Sequence, residues 1–134
     1  MNNVIDFIQS NMNFLNDIQS YHWQTESYSE HETTGEYYEK LNKLNDEFVE
    51  TWQGKTDTRI KFSAELRPGI MNYASNSQVV GEVKKQVSRI TEISQHEKVK
   101  GQIDLESILE EMLIATNQLL FHLSLKYGRL YDYC

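Results

Sequence analysis

Residues 21–54 read YHWQTESYSEHETTGEYYEKLNKLNDEFVETWQG, and the period of their apolar residues decides the fold. Tyr37, Leu41, Leu44, Phe48 and Trp52 recur at steps of three or four, which places them on one face of a helix. Ser29 is a suitable N-cap for that helix, and Gly54 after Gln53 is a suitable stop. Upstream, Val4/Ile5, Ile8, Met12, Leu15, Ile18 and His22 keep the same step, so a first helix is expected over about residues 3–25. Only a few residues around 25–28 separate the two helices. A connection that short makes them antiparallel neighbours.

The same period continues outward. A third helix is expected to start around residues 75–77 and carry Val80, Val83, Val87, Ile90 and Ile93. These side chains are β-branched, but their spacing is helical, and period outweighs propensity. A fourth follows Gly101, with Asp104 as its cap, through Leu105, Ile108/Leu109, Met112, Ala115/Thr116, Leu119 and Leu123 toward Gly128. The connection after residue 54 is about 20 residues long, and such loops are uncommon without structure of their own. A short helix at residues 64–67 is one expectation for it. The resulting architecture is all-α, a single domain over 1–134, with one long crossover between helices 2 and 3. That is the four-helix bundle of ferritin-like type.

Composition narrows the function classes. The chain has 134 residues and a formal net charge of −7, which repels phosphate backbones, and Lys84-Lys85 and Lys98 with Lys100 are too sparse for a nucleic-acid arm. No run approaches the roughly 20 apolar residues that a membrane span requires. The opening residues carry Asn and Asp where a secretory signal would carry Lys or Arg, and Cys134 is the one cysteine. A cytoplasmic protein without a disulfide framework is the expectation. There is no glycine-rich phosphate loop, no nucleophile elbow and no Cys-x-x-Cys pair.

The candidate chemistry lies in the opening stretch. At about 100° per residue, with His31 at zero, Gly35 falls near 40°, Asp46 near 60° and Glu50 near 100°, while the apolar stripe centres near 260°. His31, Asp46 and Glu50 therefore share a face turned away from the subunit's own core. His22 lies on the apolar stripe of the first helix. Singly, each has an ordinary reading: a core-edge histidine satisfied by a backbone carbonyl, a surface histidine, an acidic i, i+4 pair. Together, two imidazoles and two carboxylates make a donor set suited to iron, zinc or manganese. Two like charges one turn apart also favour a nearby cation. Ferritin-type sites inside one bundle draw on Glu-x-x-His motifs, and the sequence contains none.

The stretch resembles the metal-site region of the Dps-type miniferritins: a His-Trp pair late in the first helix and a second histidine early in the next. An aspartate follows fifteen residues later and a glutamate four residues after that. His22-Trp23, His31, Asp46 and Glu50 match that pattern. The resemblance implies a homo-oligomer in which His22 of one subunit meets His31, Asp46 and Glu50 of another. Iron or another divalent metal is bound there, and ferrous iron is oxidised. The family places a further acid four residues after the second histidine, where this chain has Gly35. The lysine-rich tail by which some members bind DNA is absent. The chain is also similar, over most of its length, to small phage-encoded ferritin-like proteins without an assigned activity. The shared features are His22–Thr25, Ser27-Tyr28, Glu30-His31, Phe48–Glu50, Gln53-Gly54 and Asp104–Glu111. In that setting the location would be the host cytoplasm.

Two functional readings follow. One is a miniferritin-like metal protein with a possible ferroxidase-type site completed at a subunit interface. The other is a non-catalytic interaction or structural protein that keeps the bundle and presents an acidic, tyrosine-rich surface to a partner.

Overall fold

The computed structural model describes residues 3–62, 72–73 and 75–125. Four helices account for almost all of them: α1 (Val4–Gln24), α2 (Tyr28–Thr56), α3 (Asn76–Ser94) and α4 (Ile103–Ser124). Among the described residues there is no strand. Around the bundle the order is α1, α2, α4, α3, each helix packing on the two beside it.

Hydrogen bonds at the two ends fix the direction of each helix. At one end, Asn76 at the start of α3 donates to Glu30 at the start of α2 (2.6 Å) and to the Leu123 carbonyl at the end of α4 (3.0 Å). At the other, Lys55 near the end of α2 pairs with Asp104 at the start of α4 (3.2 Å). Helices α2 and α3 therefore run the same way, and α1 and α4 run opposite to them. The connection from α2 to α3 must therefore join opposite ends of the bundle, as its length in sequence allows. The short helix expected at 64–67 lies outside the described residues, as does Gly128.

The helix ends differ from expectation by a few residues, for local reasons. Ser27, not Ser29, caps α2, its hydroxyl accepting from the Glu30 N–H at 3.3 Å. Gly54 does not stop α2, which runs on to Thr56 and closes at Asp57 in the left-handed region (φ 52°). The cap of α4 is Gln102. Asp104 lies in the first turn, with its carboxylate on the Leu105 N–H and on Lys55.

The core is built on the predicted stripes, with the contact face of α1 rotated. Tyr37, Leu41, Leu44 and Phe48 of α2, and Leu105, Leu109, Met112, Leu119 and Leu123 of α4, are all buried. In α1, Phe7 and Phe14 are buried while Met12 is exposed. The Phe7 ring meets Phe48 edge-on at 5.5 Å, and Phe14 meets Tyr37 at 6.1 Å. In α3 the stripe runs through Val79, Val83, Gln86, Ile90 and Ile93.

A line of amides crosses this interior. Asn11 donates to Asn45 (3.0 Å), Gln86 donates to Asn11 (2.7 Å), and the Arg89 side chain donates to Gln86 (2.9 Å) while lying over the Phe14 ring. Elsewhere in the core, Thr116 gives its hydroxyl hydrogen to the Met112 carbonyl, so the buried Tyr37 hydroxyl donates to Thr116 at 2.8 Å. Burial holds the Tyr37 phenol well above its ordinary range, so it stays a donor. Each amide satisfies a neighbour on another helix, which sets the register of α1, α2 and α3 against one another.

Asn11→Leu adds apolar bulk but strands Asn45 and Gln86, and an orphaned buried polar group costs about 1–3 kcal/mol. The variant is expected to unfold at lower denaturant concentration than the wild type, with an unchanged slope, in urea titrations followed by circular dichroism.

Candidate functional site

Where α1 ends and α2 begins, the backbone leaves carbonyls open that a helix cannot satisfy itself. His31, in the first turn of α2, closes one of them: its Nδ1 lies 2.7 Å from the His22 carbonyl in the last turn of α1. His22 returns the bond, its Nδ1 lying 2.6 Å from the His31 carbonyl, with the Thr34 hydroxyl at 3.2 Å. A carbonyl only accepts, so both imidazoles carry their proton on Nδ1. The two rings stack, with centroids 3.8 Å apart and planes 15° from parallel. In the neutral rings each Nε2 then keeps a lone pair, and neither ring can turn without breaking a bond.

Gly35, one turn after His31, makes this packing possible. A Cβ built on it would lie 2.9 Å from His22 Cε1, 3.3 Å from Nδ1 and 3.7 Å from Nε2. The first distance is closer than real Cβ contacts come. Around the pair, the Glu30 carboxylate ties the junction together. It accepts from Tyr21 (3.1 Å), Thr25 (3.0 Å) and Asn76 (2.6 Å), joining the end of α1 and the starts of α2 and α3.

Asp46 and Glu50 lie elsewhere on α2. Asp46 is fifteen residues after His31, about 22 Å along the axis at 1.5 Å per residue. Both carboxylates are exposed on the outer face. Glu50 is raised above its ordinary value by the hydrogen bond it shares with Asp46 and by that carboxylate's charge, with Glu47 adding to it. The neighbouring Asp46 thus makes the Glu50 proton harder to lose.

The four residues singled out in the sequence therefore form two groups. His22 and His31 of one chain are in contact, whereas the resemblance implied that His22 meets the other three residues from a second chain. The cause is the short connection, which folds the end of α1 back onto the first turn of α2. His31 is accordingly half-buried at the seam of the two helices, and not on a free surface. Within one chain, among the described residues, no three or more His, Cys, Asp or Glu side chains come close enough to hold a metal ion. Sequence reasoning passed over Thr34, noted Glu30 only within a resemblance, and read Gly35 only as a missing acid. The signal for the glycine was its place one turn from a histidine, facing a second helix that ends in another.

The family model described as a family of unknown function, DUF5856, matches residues 22–123. The chain belongs to that family. The DUF5856 match takes in both histidines, Gly35 and both carboxylates. No curated protein and no solved structure matches the chain. No helix among the described residues is long and apolar enough to cross a membrane.

Because its carboxyl is raised in the folded protein, Glu50 favours the fold when protonated, and that contribution is lost as pH rises through its raised pKa. Glu50→Gln removes the repulsion. It is expected to raise the thermal unfolding temperature at pH 7 and to leave it unchanged below the carboxylate range. A lower unfolding temperature at pH 7 would show that Asp46 and Glu50 do not oppose each other.

Proposed function

We propose that this protein is a miniferritin-like metal-binding protein, cytoplasmic and at least dimeric. Its site is completed when the His22–His31 pair of one chain meets Asp46 and Glu50 of a second. The observation that carries this reading is the pair of Nδ1–carbonyl bonds. A ligating histidine works best when its other nitrogen is held by a hydrogen bond that fixes the tautomer and the ring direction. Here both rings are held that way before any metal arrives. Imidazole nitrogen with carboxylate oxygen is a donor set for iron, zinc or manganese, and a bound iron would supply a redox-active centre.

Three further features support the reading. The up-down-down-up bundle with one long crossover is the connectivity of ferritin-like folds. The acid pair lies exposed on an outer face, one turn apart, where the charge of Asp46 opposes ionisation of Glu50. Trp23, next to His22, and Tyr28, one turn before His31, are 68% and 71% exposed, and aromatic surface of this kind is enriched where subunits meet.

The stacking limits how the metal is held. An imidazole binds through a lone pair in its own plane, and the two planes here are nearly parallel. Over a metal–nitrogen bond of ~2 Å, a 15° tilt would close only about 0.5 Å of the 3.8 Å between the rings. The two rings cannot both grip one ion, so each serves its own, and carboxylates from the second chain complete the coordination.

Elemental analysis of protein purified without a histidine tag, with anaerobic ferrous titration, tests the proposal. The isosteric pair Asp46→Asn with Glu50→Gln removes only exposed charges. It is expected to weaken metal binding at least about tenfold, as loss of a ligand does, with the helical content retained. His31→Ala is expected to remove one ion per chain. Wild-type metal content in both variants would overturn the reading and leave the bundle as a partner-binding protein.

A further inference from the structure

We infer that Gly35 is a positioning residue for the histidine pair, and not the site of a lost ligand. This rests on the metal-binding reading for its purpose, though not for its geometry. His22 crosses from α1 to α2 at the one place on the second helix where a side chain would stand in its way. The Cβ position of Gly35 falls 2.9 Å from His22 Cε1, the ring atom between the two nitrogens. The ring cannot step aside cheaply. Its Nδ1 is bonded to the His31 carbonyl at 2.6 Å, and its face is stacked on His31 at 3.8 Å. Any side chain at 35 must break one of these contacts, release the tautomer and turn Nε2 away. Two other helical glycines give the comparison. Among the described residues nothing lies within 4 Å of the Cβ positions of Gly54 and Gly81, so no described neighbour gives either a packing reason to be glycine.

Mid-helix glycine is unfavourable relative to alanine, so an alanine in open space should stabilise the bundle. The contrast between positions becomes the test. Gly81→Ala is expected to raise the unfolding temperature, and Gly35→Ala to lower it or leave it unmoved. In a His22→Ala background the obstacle is gone, and Gly35→Ala should stabilise as Gly81→Ala does. The second readout is long-range ¹H–¹⁵N NMR of the imidazoles. Wild type should show both histidines as Nδ1–H tautomers, and Gly35→Ala should shift His22 toward a mixture of tautomers. The third is titration with Zn²⁺ alone, where Gly35→Ala should bind at least tenfold more weakly than wild type. Equal stabilisation by Gly35→Ala and Gly81→Ala, with the His22 tautomer unchanged, would overturn the inference. If wild type binds no Zn²⁺ or Fe²⁺, the metal-binding reading fails, while the stability cycle and the NMR signature still judge the role of Gly35.

Discussion

Two hydrogen bonds between side chain and backbone, exchanged by His22 and His31, close the junction on which the rest of the site depends. They satisfy a carbonyl that the end of α1 leaves open and place the first turn of α2 against the last turn of α1. They also set the chemistry, because a proton committed to Nδ1 leaves Nε2 as a lone pair. The same bonds thus close a helix terminus and, in the metal-binding proposal, would orient a ligand. In many metal sites a separate carboxylate or carbonyl has that second task. In the proposed site each histidine would supply it for the other, and the missing Cβ at Gly35 gives the rings room to stack.

The remainder of the bundle holds this junction in place. Glu30 gathers Tyr21, Thr25 and Asn76, so the start of α3 is bound to the place where α1 passes into α2. Deeper in, Asn11, Asn45 and Gln86 link three helices through amide hydrogen bonds. Amides are weak metal donors compared with imidazole and carboxylate, and each of these three is engaged by a neighbour. The interior of the bundle is therefore specified for register. The groups suited to metal lie at its end and on the outer face of α2.

Much of the fold was legible because helical period is a property of the sequence itself. Tyr37 through Phe48 and Leu105 through Leu123 read as stripes and became the core. Helix ends were less legible, since a cap is chosen by competition among neighbours. Ser27 won over Ser29 because its hydroxyl reaches the Glu30 N–H, and Gly54 failed to stop α2 because nothing after it breaks the helix before Asp57. The buried amides were illegible, as polar residues on a stripe are identified as core only through partners on other helices. For the site, the residue types and spacings could be read, but the contact between His22 and His31 could not. It depends on how a connection of three residues turns the chain. Gly35 shows this most clearly. A sequence comparison registers an acid that is missing, whereas the structure registers a ring that would otherwise collide.

The central claim is that the metal is held between chains, histidines from one and carboxylates from the other. Coexpressing a chain carrying His22→Ala and His31→Ala with one carrying Asp46→Asn and Glu50→Gln tests it directly. Neither variant alone should bind metal. In a two-fold dimer each mixed pair rebuilds one intact site of its two, so random assortment should restore about a quarter of wild-type binding. Recovery at that level is the predicted result. No recovery in mixed dimers isolated and shown to contain both chains would contradict the account.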